Sequence, residues 1–138
     1  MSQLIRFGVS LEKELLRKFD ALNSAKGYSN RSEAIRDLIR ENLIKEEWRG
    51  NKKIAGAIIL VYDHHRRELL DKLTDIQHDH SNLIISTQHI HLDHHNCLEL
   101  VVVKGKAKQA QELCNGLKAA KGVKYAQLTT ATTGELIP

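Results

Sequence analysis

Two cysteines are all that this 138-residue chain contains, too few to staple a small domain together through a disulfide framework. A free thiol of this kind suits a reducing compartment, and the expectation is a cytoplasmic protein. No apolar run approaches the ~20 residues needed to span a bilayer, and the first residues show no apolar secretory segment, so no membrane partner is expected. The sequence has no His-Glu-x-x-His motif, the helical signature of zinc hydrolases, and no internal repeat or low-complexity tract. A block of one charge sign is missing as well. Residues 1–50 carry 10 basic and 8 acidic side chains and the remainder 11 and 9. The net charge of +4 therefore permits an anionic partner, but any nucleic-acid surface must be a local patch.

Histidine is abundant and confined. All 8 histidines fall between positions 64 and 95. His89 and His91 are two apart in a run that alternates like a β-strand, which points both to one face. Cys97 opens the next apolar run, just past the polar turn Asp93-His94-His95-Asn96, and a hairpin would return it beside the histidine pair. Imidazole nitrogen and thiolate sulfur are preferred ligands of borderline-soft divalent transition metals. The spacing predicts a metal site on two neighbouring strands. Three ligands leave a fourth position, for which His64, His65, His78, His80, His94 and His95 are all candidates.

The chain has room for one ordinary domain or two small ones. The first 50 residues read as one strand and two helices. Ile5, Phe7 and Val9 alternate with Arg6, Gly8 and Ser10, a half-buried strand. Ser10 is placed to cap a helix carrying Leu11, Leu15, Phe19 and Leu22, which Gly27 ends. Asn30, with Glu33 three residues on, fits a capping-box variant. The second helix has Ile35, Leu38, Ile39 and Leu43 as its apolar stripe and ends near Trp48, before Gly50-Asn51. A lone strand leaves its backbone groups without partners, and ~50 residues supply too little core for a monomer. A dimer solves both problems: two strands pair antiparallel over four helices, making a ribbon that fits the DNA major groove.

Residues 51–138 read as strand, helix, strand, strand, helix, strand: an apolar run at 53–62, a helix at 65–80, strands at 83–92 and 97–104, a helix carrying Ala107, Ala110, Leu113, Cys114, Leu117 and Ala120, and a strand at 123–131. That order is a ferredoxin-like βαββαβ unit, with Cys114 as an inert core residue. The fold class is α+β.

The stretch Gly27-Tyr28-Ser29-Asn30-Arg31-Ser32-Glu33-Ala34-Ile35-Arg36-Asp37, together with the strand before it, resembles the ribbon-helix-helix domain of nickel-responsive regulators of the NikR family. The second unit, with its His-x-His and Cys, resembles the ACT-like domain of the same family, so the likeness spans essentially the full chain. The resemblance implies that Arg6 and Ser10 face base edges, and that Asn30, Arg31 and Ser32 hold a backbone phosphate at a helix N-terminus. Gly8 departs from the family's polar residue at the middle outward position. The family's Gln-His motif corresponds to Gln77-His78, which assigns His78 of a neighbouring subunit as the fourth ligand beside His89, His91 and Cys97. The resemblance further implies one Ni(II) per subunit, a homotetramer built as a dimer of dimers, and double-stranded operator DNA as partner. It also places a second cation at Glu33 and Asp37 in some members. The expected function is nickel-dependent repression of nickel uptake genes. The alternative is a sensor of the same fold that responds to Zn or Cu, because three nitrogens and a sulfur accept all three metals. Arg66 and Arg67, at the start of the helix at 65–80, are further candidates for phosphate contact. An antitoxin is disfavoured by the folded periodicity of residues 53–138. An enzyme is disfavoured because four protein ligands fill a square plane.

Overall fold

The computed structural model describes residues 3–138; Met1 and Ser2, at the start of the expected first domain, lie outside the described residues. The chain divides into two compact units, one through Glu41 and one from Asn42 to Pro138.

In the first unit, α1 (Lys13–Ala25) is followed by α2 (Arg31–Arg49), whose later turns run into the second unit. The start of α1 departs from expectation. Its N-cap is Glu12, in extended backbone with no side-chain cap bond, so Ser10 is too far upstream to serve. A capping oxygen must come from the residue directly before the first helical turn. At the other end Gly27, at φ +83, terminates the helix as anticipated. The cap of α2 is the expected one: Asn30 Oδ1 accepts the Glu33 N–H at 2.9 Å. The Glu33 carboxylate does not turn back to complete a capping box but pairs with Arg36.

Among the described residues, 3–10 have no ladder partner and no strand is assigned. A strand is made by its neighbour, and one chain does not supply it. The apolar side chains of this unit are correspondingly uncovered. Ile5, Phe7 and Val9 are exposed by 79%, 72% and 60%, and Leu11, Leu15, Leu22, Leu38 and Ile39 are exposed as well. So much bare apolar surface on a small unit marks an association surface.

The second unit has the expected order: β1 (Lys53–Asp63), α3 (Arg67–Asp79), β2 (Ile84–His91), β3 (Asn96–Lys106), α4 (Ala107–Ala119) and β4 (Val123–Thr130). The strands form one antiparallel sheet in the order β2-β3-β1-β4. This is an α+β, ferredoxin-like arrangement. Burial alternates along β1, with Ile54, Ile58, Leu60 and Tyr62 fully buried and their neighbours less so. The buried row packs with Val101 and Val103 of β3, Leu69 and Leu73 of α3, and Ala110, Leu113, Cys114 and Leu117 of α4. Cys114 is an inner core residue, and burial pushes its thiol up from the ordinary value. By the same alternation the other face of the sheet carries Ile59, Val61, Leu98 and Leu100, with Ile90 and Tyr125 exposed at 40% and 49%. Trp48, near the end of α2, is anchored to this unit: its indole Nε1 donates to the Ala131 carbonyl at 2.8 Å. Asn51 then turns the chain at φ 53 and accepts the Lys108 N–H at 2.9 Å. No helix of the described residues is long and apolar enough to cross a membrane.

Candidate metal centre

Antiparallel pairing of β2 and β3 places His91 opposite Cys97 and His89 opposite Glu99. Side chains at directly opposed positions share a face, and the burial of Cys97 and Glu99 identifies it as the helix-covered face. The register thus places His89, His91 and Cys97 on one face of the β2–β3 hairpin. Cys97 is 2% exposed, whereas the His89 side chain is 56% exposed. The thiol is thus buried and the imidazole exposed.

The turn between the strands is held by one carboxylate. Asp93 Oδ1 accepts the backbone N–H of His95 at 2.8 Å and of Asn96 at 2.7 Å, and the Asn96 amide also donates to it. These bonds, led by the Asn96 side chain, lower the Asp93 carboxyl to about 2.

A second layer of polar groups lies behind the donors. Glu99 is 3% exposed and is shared: one oxygen contacts His89 Nε2, and the other accepts from Gln77 Nε2 at 2.8 Å. A carboxylate on one ring nitrogen fixes a ligand histidine's tautomer and leaves the other nitrogen free, which for His89 is Nδ1. Tyr62 lies opposite Cys97 across the β1–β3 ladder. Burial raises its phenol well above the ordinary value, and the neighbouring Glu99 and Cys97 add to the effect. His64 stands 4.8 Å from His91 by ring centroids, edge to face. Desolvation, and then the adjoining His65 and His91, hold it below the usual imidazole value.

His78, in the last turn of α3, lines a cleft of about 360 Å³ together with His89, Gln77, Glu99 and Tyr62. The structure therefore brings His78 to the same cleft as His89. His91 lies instead towards His64, and His80 is turned to the Ile76 carbonyl at 2.9 Å. Sequence reasoning assigns no role to Tyr62 and none beyond the Gln-His motif to Gln77. Both reach Glu99 through strand register and helix packing, which leave no pattern in the chain.

Of the nucleic-acid candidates, Arg66 and Arg67 stand at the start of α3 in the second unit, and the others lie in the first. Arg6 and Ser10 are exposed, as are Asn30, Arg31 and Ser32. Asn30 is occupied as the cap of α2. The Arg31 guanidinium makes a two-pronged pair with Asp20, at 2.9 and 2.8 Å. Glu33 and Asp37 are each paired with an arginine, Arg36 and Arg40, and Asp37 also accepts from the Tyr28 hydroxyl at 2.5 Å.

A helix pair with uncovered apolar side chains, followed by a ferredoxin-like unit whose edge hairpin carries two imidazoles and a thiol on one face, is the frame of a metal-responsive regulator. The chain belongs to the NikR family: residues 55–131 match its C-terminal nickel binding domain, and residues 5–46 match the ribbon-helix-helix proteins of the copG family. Similar proteins cover it end to end. One from Chlorobium limicola is 56% identical over 134 residues, 97% of this chain and 100% of its own. One from Syntrophus aciditrophicus is 54% identical over 136 residues, 99% of each. One from Geobacter sulfurreducens is 52% identical over 136 residues, 98% of each. Each carries the name "Putative nickel-responsive regulator". Among solved structures, an uncharacterized protein from Thermotoga maritima superposes with a TM-score of 0.53 at 15% identity, over 57% of this chain and 98% of its own. That likeness concerns the fold alone.

Proposed function

We propose that this protein is a cytoplasmic, nickel-dependent DNA-binding repressor of nickel uptake genes, acting as a homotetramer. The observation that carries the reading is the shared face of His89, His91 and Cys97, with Glu99 bonded to His89 from behind. Two imidazoles and a thiolate fit nickel, and a fourth donor completes a square plane. His78 of a neighbouring subunit is assigned that place, with one Ni(II) per chain.

Residues 1–50 form the DNA-binding domain and residues 51–138 the metal-binding and tetramerising domain. Pairing of residues 4–10 between two copies would cover Ile5, Phe7 and Val9 and leave Arg6 and Ser10 facing out towards base edges. Asn30, Arg31 and Ser32 offer the free N–H groups of the α2 start to a phosphate. The apolar outer face of the sheet, with Ile90 and Tyr125 exposed, is the surface on which ferredoxin-like domains would meet in a tetramer. A metal shared between subunits binds one arrangement of the tetramer better than others, and linkage turns that difference into tighter DNA binding.

The test is binding to a promoter fragment of a nickel uptake operon, by the apo protein and with one equivalent per chain of Ni(II), Zn(II) or Cu(II). Tight binding with nickel alone, with a thiolate charge-transfer band lost in Cys97→Ala, is the expected result. Equal binding with every metal would turn the reading towards a sensor of another ion. Equal binding with and without metal would sink it.

A further inference from the structure

We propose that Asp63, His65 and His95 form a second metal site, exposed and distinct from the His89, His91 and Cys97 face, which takes a borderline divalent ion of the nickel-to-zinc range. The inference concerns different donors from those of the proposed repressor site and does not depend on which metal that site holds.

The three residues come from two turns at one end of the sheet. Asp63 ends β1 and stands opposite Asn96, the first residue of β3, so His95 lies beside it. His65 follows two residues after Asp63. One ligand atom from each of the three lies within 4.8 Å of the others, a spacing that a single ion can bridge. His65 Nδ1 is 3.3 Å from Asp63 Oδ1, and the same oxygen accepts the His65 backbone N–H at 2.9 Å, which fixes the carboxylate's direction. A backbone bond from His64 N–H to the His95 carbonyl, at 3.2 Å, ties the two turns together. The donors are therefore preorganised by main-chain bonds and need no large movement to converge. His94 flanks them, its ring 5.3 Å from that of His65 and 4.8 Å from that of His95.

Two imidazoles and one carboxylate are a donor set for first-row divalent ions, and the absence of sulfur makes it harder than the His/Cys set. Three protein donors leave coordination positions to water, so this site binds more weakly than a closed four-donor site. It is also directly accessible: the His65 side chain is 51% exposed and that of Asp63 29%. The β2–β3 turn that carries His95 joins His91 to Cys97. An ion there would clamp the hairpin of the first site to the end of β1.

The experiment is equilibrium dialysis of the full-length protein against graded Ni(II) and, separately, Zn(II), with bound metal counted and the nickel–thiolate band recorded on the same samples. Wild type should take up a second, weaker equivalent per chain. The His65→Ala/His95→Ala variant should lose that equivalent and keep the thiolate band, which also shows that the hairpin remains folded. Asp63→Asn should weaken it by about tenfold or more. Uptake of the second equivalent unchanged in both variants, or no second equivalent in wild type, would overturn the proposal. Loss of the second equivalent in the double variant of a protein whose wild type shows no thiolate band would leave this site standing and remove the first.

Discussion

Gln77 and Glu99, 22 positions apart, are joined by a 2.8 Å hydrogen bond in which the amide of α3 donates to the carboxylate of β3. That same carboxylate contacts His89. The last turn of α3, which also presents His78, is thereby mechanically connected to a proposed ligand. Replacing Gln77 with Ala frees one Glu99 oxygen without removing a ligand. Nickel affinity, read by competition with a chelator of known strength, should fall by about 10- to 100-fold, the usual cost of losing an outer partner of a ligand. Far-UV circular dichroism should be unchanged. Unaltered affinity would detach Gln77 from the site.

His78 lines the same cleft as His89 within one chain, whereas the proposed function takes the donor from a neighbour. Mixing subunits separates the two. His78→Ala and His89→Ala should each weaken nickel binding as pure assemblies. Co-refolded mixtures should recover some strong sites if the donors come from different chains, because some pairings combine an intact His78 with an intact hairpin. No recovery at any mixing ratio would place His78 in its own chain's site.

Asp93 holds the turn between His91 and Cys97 through three donors. Asp93→Ala should loosen the hairpin and lower nickel affinity by about tenfold, with little change in melting temperature because the turn is exposed. The pH dependence has a definite sign. The folded carboxyl is depressed to about 2, below the ~3.9 of an unfolded aspartate. Its contribution is therefore complete above pH ~4 and is lost as pH falls towards 2. A carbon-13 titration of the Asp93 carboxyl in the apo protein should have its midpoint near pH 2; a midpoint near 4 would show that the turn bonds are not held in solution.

Arg31 is paired with Asp20, and both side chains are substantially exposed, 59% and 43%. Exposed pairs contribute little stability, so Arg31 can exchange a carboxylate for a phosphate at small cost. Asp20→Asn should raise affinity for DNA of any sequence and leave the melting temperature nearly unchanged. Arg31→Ala should lower affinity uniformly and reduce the slope of log K against log salt by about one. An unchanged slope would remove Arg31 from the phosphate-binding set.

The second unit was largely legible because its sheet is buried on one face, and a residue's inward or outward direction is then written as alternation. The run from Ile54 to Tyr62 and the His89-Ile90-His91 triplet are read that way, and their elements fall within a few residues of expectation. The start of α1 was misread because Ser10 has the chemistry of a cap but stands too far from Lys13. The strand at 4–10 is legible as a pattern, yet a single chain supplies no partner for it. What the sequence could not reveal is proximity that arises between elements. Asp63 meets His95 only because β1 pairs with β3 in one register, and Trp48 meets Ala131 across 83 positions. No spacing rule connects either pair.

Strand β2 is outermost in the sheet, bonded along one side only. Substitutions along such a margin cost a domain little, because the central strands β1 and β3 carry the Ile58, Leu60, Val101 and Val103 core without it. Of the proposed ligands, His89 and His91 stand on that margin, whereas Cys97 is rooted in the central strand β3. Changes in the imidazole pair would therefore alter the proposed donor set while the chassis beneath it stays as it is.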